Sequence, residues 1–576
     1  LCEHEAPSRW RLWLEILGAK LASTVQPGST SKPPSLVWKP LTAIAAAAFA
    51  VEIPFFFRGT PSGHDVEFHL YSWLEVLSQW KEGIIYPRWA ALAYFGYGEP
   101  RFIFYPPLSW TLGAALTAIF PWTLVASIYI WIALVAAGVS MFLFARQWLD
   151  LRDATFAAVL YAVNPYHLVI VYWRSAFAEL LASSLLPLLL LLVLRINDKG
   201  RRVTLWLALL LASAWLINAP AAVMIHYSLA LLLLAIAWQR RSPRVLLTGA
   251  VAVILGAALA AFYLLPAVYE QRWVDIAQAV SPGVRPADNF LFVHTVDADH
   301  DAFNCVISWI AVVEIMLTLA AGWFARSWVT RNRTLWYLLV TWSAMCAVFM
   351  LSVTNPLWNV LPELRFMQFP WRFLLCMGIP FSLLIVVGVR RRAVRVAMYL
   401  AMLCVIAFVW HHFQPPWWDH AADLREIQET MATGKGSEGT DEYTPVGADF
   451  SLLDRARERR VTVNGPAHAA IHVLEWSAER KIFTAEMSAP DNLALQLFNY
   501  PAWRVEVNGR VVPAGTREGT GQMLVPVEAG ANRVLIYFAR TWDRTLGGWI
   551  SLMTLILIVI FARYEIGLTW IPKNAV

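Results

Sequence analysis

Thirteen apolar runs divide this chain, at about residues 41–57, 104–120, 123–145, 154–172, 177–194, 203–217, 221–238, 245–268, 304–325, 334–353, 373–389, 396–412 and 546–562. Most are long enough to cross a hydrocarbon layer of roughly 30 Å. Inside such a layer the backbone has no water to bond. Each crossing must therefore close its hydrogen bonds within itself, as a helix. Composition agrees: only 15% of residues are charged, where a soluble domain carries about a quarter. The expected fold class is an α-helical polytopic membrane protein.

Charge placement sets the expected topology. The basic clusters are Arg146/Arg152, Arg195/Lys199/Arg201/Arg202, Arg240/Arg241/Arg244, Arg326/Arg331/Arg333 and Arg390/Arg391/Arg392/Arg395. Two crossings separate each from the next, so all fall on one side, which the positive-inside rule makes the cytosol. A polar lead-in with Lys20, Lys32 and Lys39 places residues 1–40 in the cytosol too, with no cleavable signal peptide evident. These statements agree only if one early run does not cross. Run 104–120 is the weaker, since it is short and opens on Tyr105-Pro106-Pro107. The expectation is about twelve crossings, one outer-face non-spanning helix and both termini cytosolic. The net charge of +6 resides largely in these clusters; it is a topology signal and does not point to nucleic acid.

The expected domains are the lead-in, a multi-spanning membrane domain over 41–412 with an acidic first outer loop at 58–122, an extracytoplasmic β-rich domain over 413–545, and a final crossing with its tail over 546–576. The first part of 413–545 is polar and glycine-containing and reads as a loop. From Ala467 onward, period-two alternation marks strands. Asn508-Gly509, between Trp503–Val507 and Arg510–Val512, is a two-residue hairpin signal that predicts an antiparallel sheet or sandwich.

The chemistry-bearing stretch comes directly after the first crossing: Gly63-His64-Asp65-Val66-Glu67-Phe68-His69. A carboxylate at the mouth of a membrane helix can act as a general base or bind a cation. The simpler account makes Asp65 the cap of an amphipathic helix running through Tyr71, Trp73, Leu74, Leu77 and Trp80. On spacing alone, both stand.

Four motifs are spread along the rest of the chain: Tyr86-Pro87-Arg88-Trp89, Phe104-Tyr105-Pro106-Pro107-Leu108, Gln368-Phe369-Pro370-Trp371-Arg372 and Asp441-Glu442-Tyr443-Thr444-Pro445. Their order resembles a group of bacterial membrane proteins named 6-pyruvoyl-tetrahydropterin synthase-related. The stretch Tyr500–Gly509 resembles the β-module of YfhO-like membrane proteins. The group's name is not an activity, since no compact histidine site like that of the soluble zinc enzyme is present. The layout resembles GT-C glycosyltransferases, whose acidic first-loop residue serves catalysis and whose donors are generally lipid-phosphate sugars. That resemblance implies Asp65 as the catalytic carboxylate and Glu67 as its neighbour. It also implies a polyprenyl-phosphate-linked sugar as donor, an envelope glycan, lipid or protein as acceptor, and residence in a bacterial inner membrane. No clear second acidic motif is present, so a divalent cation is left open as a cofactor.

A phosphate donor needs cations on the outer face. Arg174, Arg272, Arg365 and Arg372 are the candidates, with His69 and Arg88 of the first loop as further substrate-binding residues. The competing account is snorkelling or a partner carboxylate such as Glu179 or Glu270. The acidic loop around Asp297, Asp299 and Asp301, with His294 and His300, lacks the pattern of an EF-hand and reads first as a solvated loop. Trp503 is a candidate sugar-stacking residue. Two other functions fit the same layout: a transporter or flippase for a lipid-linked glycan, and a non-catalytic scaffold whose β-domain binds glycan.

Overall fold

The computed structural model describes residues 38–196, 200–329, 331–391, 393–398, 400–401, 403–404, 417–453 and 459–568. Eight helices are long and apolar enough to cross a membrane: Trp38–Arg58, Trp122–Ala145, Leu151–Arg174, Phe177–Leu194, Ala219–Arg240, Ala298–Phe324, Pro370–Gly388 and Trp542–Phe561. Two bent pairs, Arg244–Leu259 with Ala261–Trp273 at 77° and Arg333–Phe349 with Ser352–Val360 at 86°, bring the number to ten at most, if each pair is one crossing and not a re-entrant loop. The sequence counts two further runs as crossings: the apolar helix Arg202–Ile217, which is shorter than these, and the run at 396–412. That run lies largely outside the described residues, as do most of the lead-in and the end of the tail.

The helix Pro107–Ile119 has 13 residues. At 1.5 Å per residue it reaches only about 20 Å, short of a bilayer core. Proline at its first position supplies the helical φ and needs no hydrogen bond there. Its Gly113 lies against Trp73, where a Cβ would stand 2.2 Å from the indole. The short helix thus packs along Val66–Lys81, whose Val66, Leu70 and Trp73 recur at helical spacing and are buried.

Several of the basic clusters come together in the bundle. At one end, Arg395 pairs with Asp153 and Arg195 bonds Gln147, so three of the basic clusters meet there. The first loop and the segment after residue 417 meet elsewhere: Thr60–Pro61 and Trp418–Asp419 form a two-stranded antiparallel ribbon.

Between 417 and 453 the structure departs from the loop expected. Ala421–Ala432 is a helix with a capping box at His420 and Asp423. Leu424, Ile427 and Met431 recur along one face and pack inward. That short apolar stripe is diluted by charged neighbours, which hides it from a reading of composition.

The β-module consists of two antiparallel sheets. One has four strands in the order Val461–Val463, Asp491–Phe498, Gln522–Val527, Gly515–Thr516; the other has five, in the order Ala469–Trp476, Arg480–Met487, Gly530–Phe538, Trp503–Val507, Arg510–Val512. The hairpin at Asn508-Gly509 is present, with φ of 51° and 77° and Val507 facing Arg510. Both turn residues hold the positive φ that a type I′ turn needs.

The module seats on the first loop through Trp89. This fully buried ring meets Tyr500, Trp503 and Phe538 at centroid distances of 5.4–5.7 Å. Gly98 is required beneath it, because a Cβ there would lie 2.1 Å from the indole nitrogen. The Tyr86-Pro87-Arg88-Trp89 motif is therefore the socket of the module.

Candidate active site

Asp65 sits where the first loop folds back onto the end of the helix Leu151–Arg174. The last turn there, Ile170–Arg174, is wound wide as a π-helix, and Ser175 follows in the left-handed conformation at φ 51°. This turn aims two groups at the loop. The Ser175 hydroxyl accepts from Gly63 N at 2.9 Å and donates to Pro61 O at 3.1 Å. The Arg174 carbonyl accepts from Asp65 N at 2.9 Å. Gly63 is needed for this approach, since a Cβ would stand 2.2 Å from Trp173 O.

The loop thereby brings the Asp65 carboxylate within 3.5 Å of Arg174 Nη2. Asp65 stands at the N-cap position of Val66–Lys81 but makes no capping hydrogen bond. Its side chain remains 40% exposed, whereas that of Arg174 is 3% exposed.

Behind this pair lies a buried ion cluster. Glu179 Oε2 accepts from Arg174 Nη1 at 2.7 Å and from Arg372 Nε at 3.0 Å, and Glu179 Oε1 accepts from the Tyr166 hydroxyl at 2.6 Å. Arg372 also donates to Met367 O at 2.5 Å. Phe369 and Trp371 stack at 4.7 Å beside these cations, and Arg174 lies 5.0 and 5.1 Å from their ring centres. The partner account of the two arginines is thus realised at Glu179. Two guanidiniums share this one carboxylate, so one positive charge is left facing Asp65.

His69 follows Asp65 by one helical turn. It is buried, stacked on Phe177 at 5.0 Å, and its Nδ1 has no hydrogen-bond partner. Burial pushes its pKa down to about 4, with Asp65 opposing and Arg174 adding to the shift. At neutral pH it is an uncharged imidazole with a free ring nitrogen.

The remaining sequence candidates lie apart from this cluster. Glu67 is exposed on the first turn of its helix, towards Asp419. Arg88 is half-buried under the β-module, its guanidinium 4.1 Å from the Tyr86 ring centre and its backbone N–H donating to Glu479. Arg272 rests on Tyr269 at 3.8 Å, while Glu270 pairs with Arg544 instead. Arg365 is exposed beside Phe366. Asp297 caps the helix Ala298–Phe324 and Asp301 accepts from Thr295 N, so these carboxylates are engaged in shaping their own loop.

Sequence reasoning missed Asp419. The ribbon with Thr60 carries it to the first loop, and burial, followed by Asp423 and Glu67, pushes its carboxyl up to about 6. Its near neighbour Trp417 lies 5.7 Å from His64. Only the pairing of two segments more than 350 residues apart reveals it. Among the described residues no three His, Cys, Asp or Glu side chains assemble as a metal would require.

The family profile described as 6-pyruvoyl-tetrahydropterin synthase related domain, a membrane protein, matches residues 102–415, more than half of the chain. The chain belongs to this family. Of the four sequence motifs, Phe104–Leu108 and Gln368–Arg372 lie inside the match, and Tyr86–Trp89 lies just before it.

No curated protein matches this family member. Among solved structures, the oligosaccharyltransferase of Archaeoglobus fulgidus is similar at 14% identity and a TM-score of 0.37, covering 70% of this chain and 55% of the other. The arabinofuranosyltransferase AftD from Mycobacteria is similar at 17% identity and 0.38, covering 72% of this chain and 28% of the other. ArnT from Cupriavidus metallidurans, solved with undecaprenyl phosphate, is similar at 12% identity and 0.29, covering 76% and 93%. The chain thus spans about half the length of the oligosaccharyltransferase. At TM-scores this low the likenesses carry no argument about substrate or mechanism.

Proposed function

We propose that this protein is a membrane glycosyltransferase that transfers a sugar from a polyprenyl-phosphate donor to an extracytoplasmic acceptor. The observation that carries the reading is the half-exposed Asp65 carboxylate held 3.5 Å from the buried Arg174. The acceptor hydroxyl passes its proton to Asp65 as its oxygen bonds the anomeric carbon. The bond from that carbon to the phosphate oxygen breaks, and the electron pair leaves with the phosphate. Arg174 and Arg372 face the charge that develops there, in a setting where fixed donors act more strongly than in water. In this reading His69, buried one turn from Asp65 with an unpartnered Nδ1, orients a hydroxyl there. Glu67 stands further out, beside Asp419.

The acceptor class is an envelope glycan, lipid or protein. In this reading the protein lies in a bacterial inner membrane with both termini cytosolic. The domains are 1–40, 41–412, 413–545 and 546–576, and the β-module faces outward, opposite the basic clusters. The test is transfer by purified protein from a polyprenyl-phosphate sugar, together with mass spectrometry of envelope glycans from a deletion strain complemented with wild type or Asp65→Asn. Equal glycans and equal transfer from both would remove the catalytic assignment.

A second reading, transport of a lipid-linked glycan, draws on Glu314. This side chain is buried in the helix Ala298–Phe324 with neither oxygen hydrogen-bonded, and an ionisable group inside a crossing is a candidate for ion or proton movement. Uptake of labelled lipid-linked glycan into proteoliposomes separates the two readings.

A further inference from the structure

An open cleft of about 610 Å³ lies between the membrane domain and the β-module, away from Asp65. This falls in the roughly 300–1,000 Å³ range of ligand sites. Three segments line it: Arg272 with Trp273, Pro445 with Val446, and the module between Asn499 and Thr516. The cleft shares no residue with the Asp65 cluster.

Its walls are fixed before any ligand arrives. Val446 N donates to Trp273 O at 3.1 Å, and Asp275 N donates to Thr444 O at 2.9 Å. Tyr500 forms the floor, edge-on to Trp273 at 5.4 Å. Its hydroxyl donates to Glu270 Oε2 at 2.7 Å, and Arg544 grips the same carboxylate through two hydrogen bonds of 2.7 Å. A preformed cleft binds with less ordering cost.

The lining has a single sign of charge. Its fifteen residues include Arg272 and Arg504 and no aspartate or glutamate. Among the described residues neither arginine pairs with a carboxylate. Prolines at 445, 501 and 513 and the half-buried Trp273 add flat apolar surface, while Asn499 Nδ2 donates to Thr516 Oγ1 at 2.7 Å on the polar side. Trp503, the stacking candidate from the sequence, is packed under Trp89 and Phe538 instead.

We propose that this cleft is a second binding site, for an acidic oligosaccharide whose sugar faces lie on Trp273 and the prolines and whose anionic groups meet Arg272 and Arg504. Flat apolar faces suit the C–H faces of pyranose rings, and guanidinium suits carboxylate or phosphate through paired N–H donors. The cleft takes the acidic glycan that the module meets on the outer side of the membrane, so the proposal rests on the outward orientation of the proposed function.

The test uses the full-length protein in nanodiscs of zwitterionic lipid and isothermal titration with an oligogalacturonate, a neutral malto-oligosaccharide and an oligoglutamate peptide of matching length. The expected result is oligogalacturonate binding at least about tenfold tighter than either control and weakened by salt. Arg272→Gln combined with Arg504→Gln should weaken it by about tenfold or more. Val511→Trp, on an exposed edge strand at the cleft, should block it without removing charge. Asp65→Asn should leave it unchanged, which separates this site from the transfer reading. Equal binding of the neutral sugar, equal binding of the peptide, indifference to these cleft variants in folded protein, or no oligogalacturonate binding at millimolar concentration would each overturn the proposal.

Discussion

Asp65 occupies the N-cap position of its helix and yet turns its carboxylate to Arg174, 3.5 Å away, leaving the capping hydrogen bond unmade. Cap and base therefore come apart at this residue. Asp65→Asn should keep the thermal unfolding temperature of wild type and lower transfer by roughly 10²–10⁴-fold. Transfer assays on the purified variant, with melting as control, check both halves.

Glu179 is 1% exposed and carries two guanidiniums. Glu179→Ala would leave the buried Arg372 without a carboxylate and Arg174 with only the half-exposed Asp65. The expected loss of stability is about 3–5 kcal/mol, as for other broken buried pairs. A melting curve in detergent reads it, and an unchanged curve would mean the cluster is hydrated and exposed.

Gly63→Ala tests the approach of the first loop. The new Cβ would meet Trp173 O at 2.2 Å, so the loop must lift away from Arg174. Overpacking of this kind costs about 1–3 kcal/mol. Transfer assays and melting on the same preparation should show transfer falling more than stability, because Asp65 moves with the loop.

Glu75 sets a pH dependence. It is buried, accepts from Ala91 N and Leu92 N, and burial pushes its pKa up to about 7. The folded state then holds a proton that the unfolded chain, near 4.5, gives up. Its contribution is full below the unfolded value and lost as pH rises towards 7, by up to about 3 kcal/mol. Glu75→Gln should flatten that fall in a series of melts from pH 4.5 to 7.

Topology is open to cysteine labelling in a background lacking the exposed Cys305 and Cys404. Lys435→Cys should react with an impermeant reagent in intact cells, and Arg240→Cys only after permeabilisation. Labelling of position 240 from outside would reverse the map and take the proposed orientation with it.

Much of the fold was legible because its signals are local. Alternation, the Asn508-Gly509 turn and the long apolar runs each act within one short stretch of chain. The short helix Pro107–Ile119 was legible through its prolines. Asp65 was singled out by its place after the first crossing, and its approach to Arg174 depends on a contact across 109 residues, since Arg174 lies that far along the chain. Glu179 stood among possible partner carboxylates, but its choice of Arg174 and Arg372 depends on a contact across 193 residues. Glu270 was likewise a possible partner carboxylate for the outer-face arginines, and the fold gives it to Arg544, 274 residues away. Asp419 was hidden for the same reason, since nothing near it in the chain announces the ribbon with Thr60.

The chain departs from the helix bundle near residue 417 and rejoins it near 542, and each junction is fastened. Trp418–Asp419 is stitched to Thr60–Pro61 at the first, and Arg544 is clamped to Glu270 at the second. A rigid body held at two separated points keeps one freedom, rotation about the line that joins them. Trp89, seated among Tyr500, Trp503 and Phe538, is a third point and removes it. A swing of the sheets over the bundle would therefore have to unseat Trp89 from its three aromatic neighbours before anything could open beneath them.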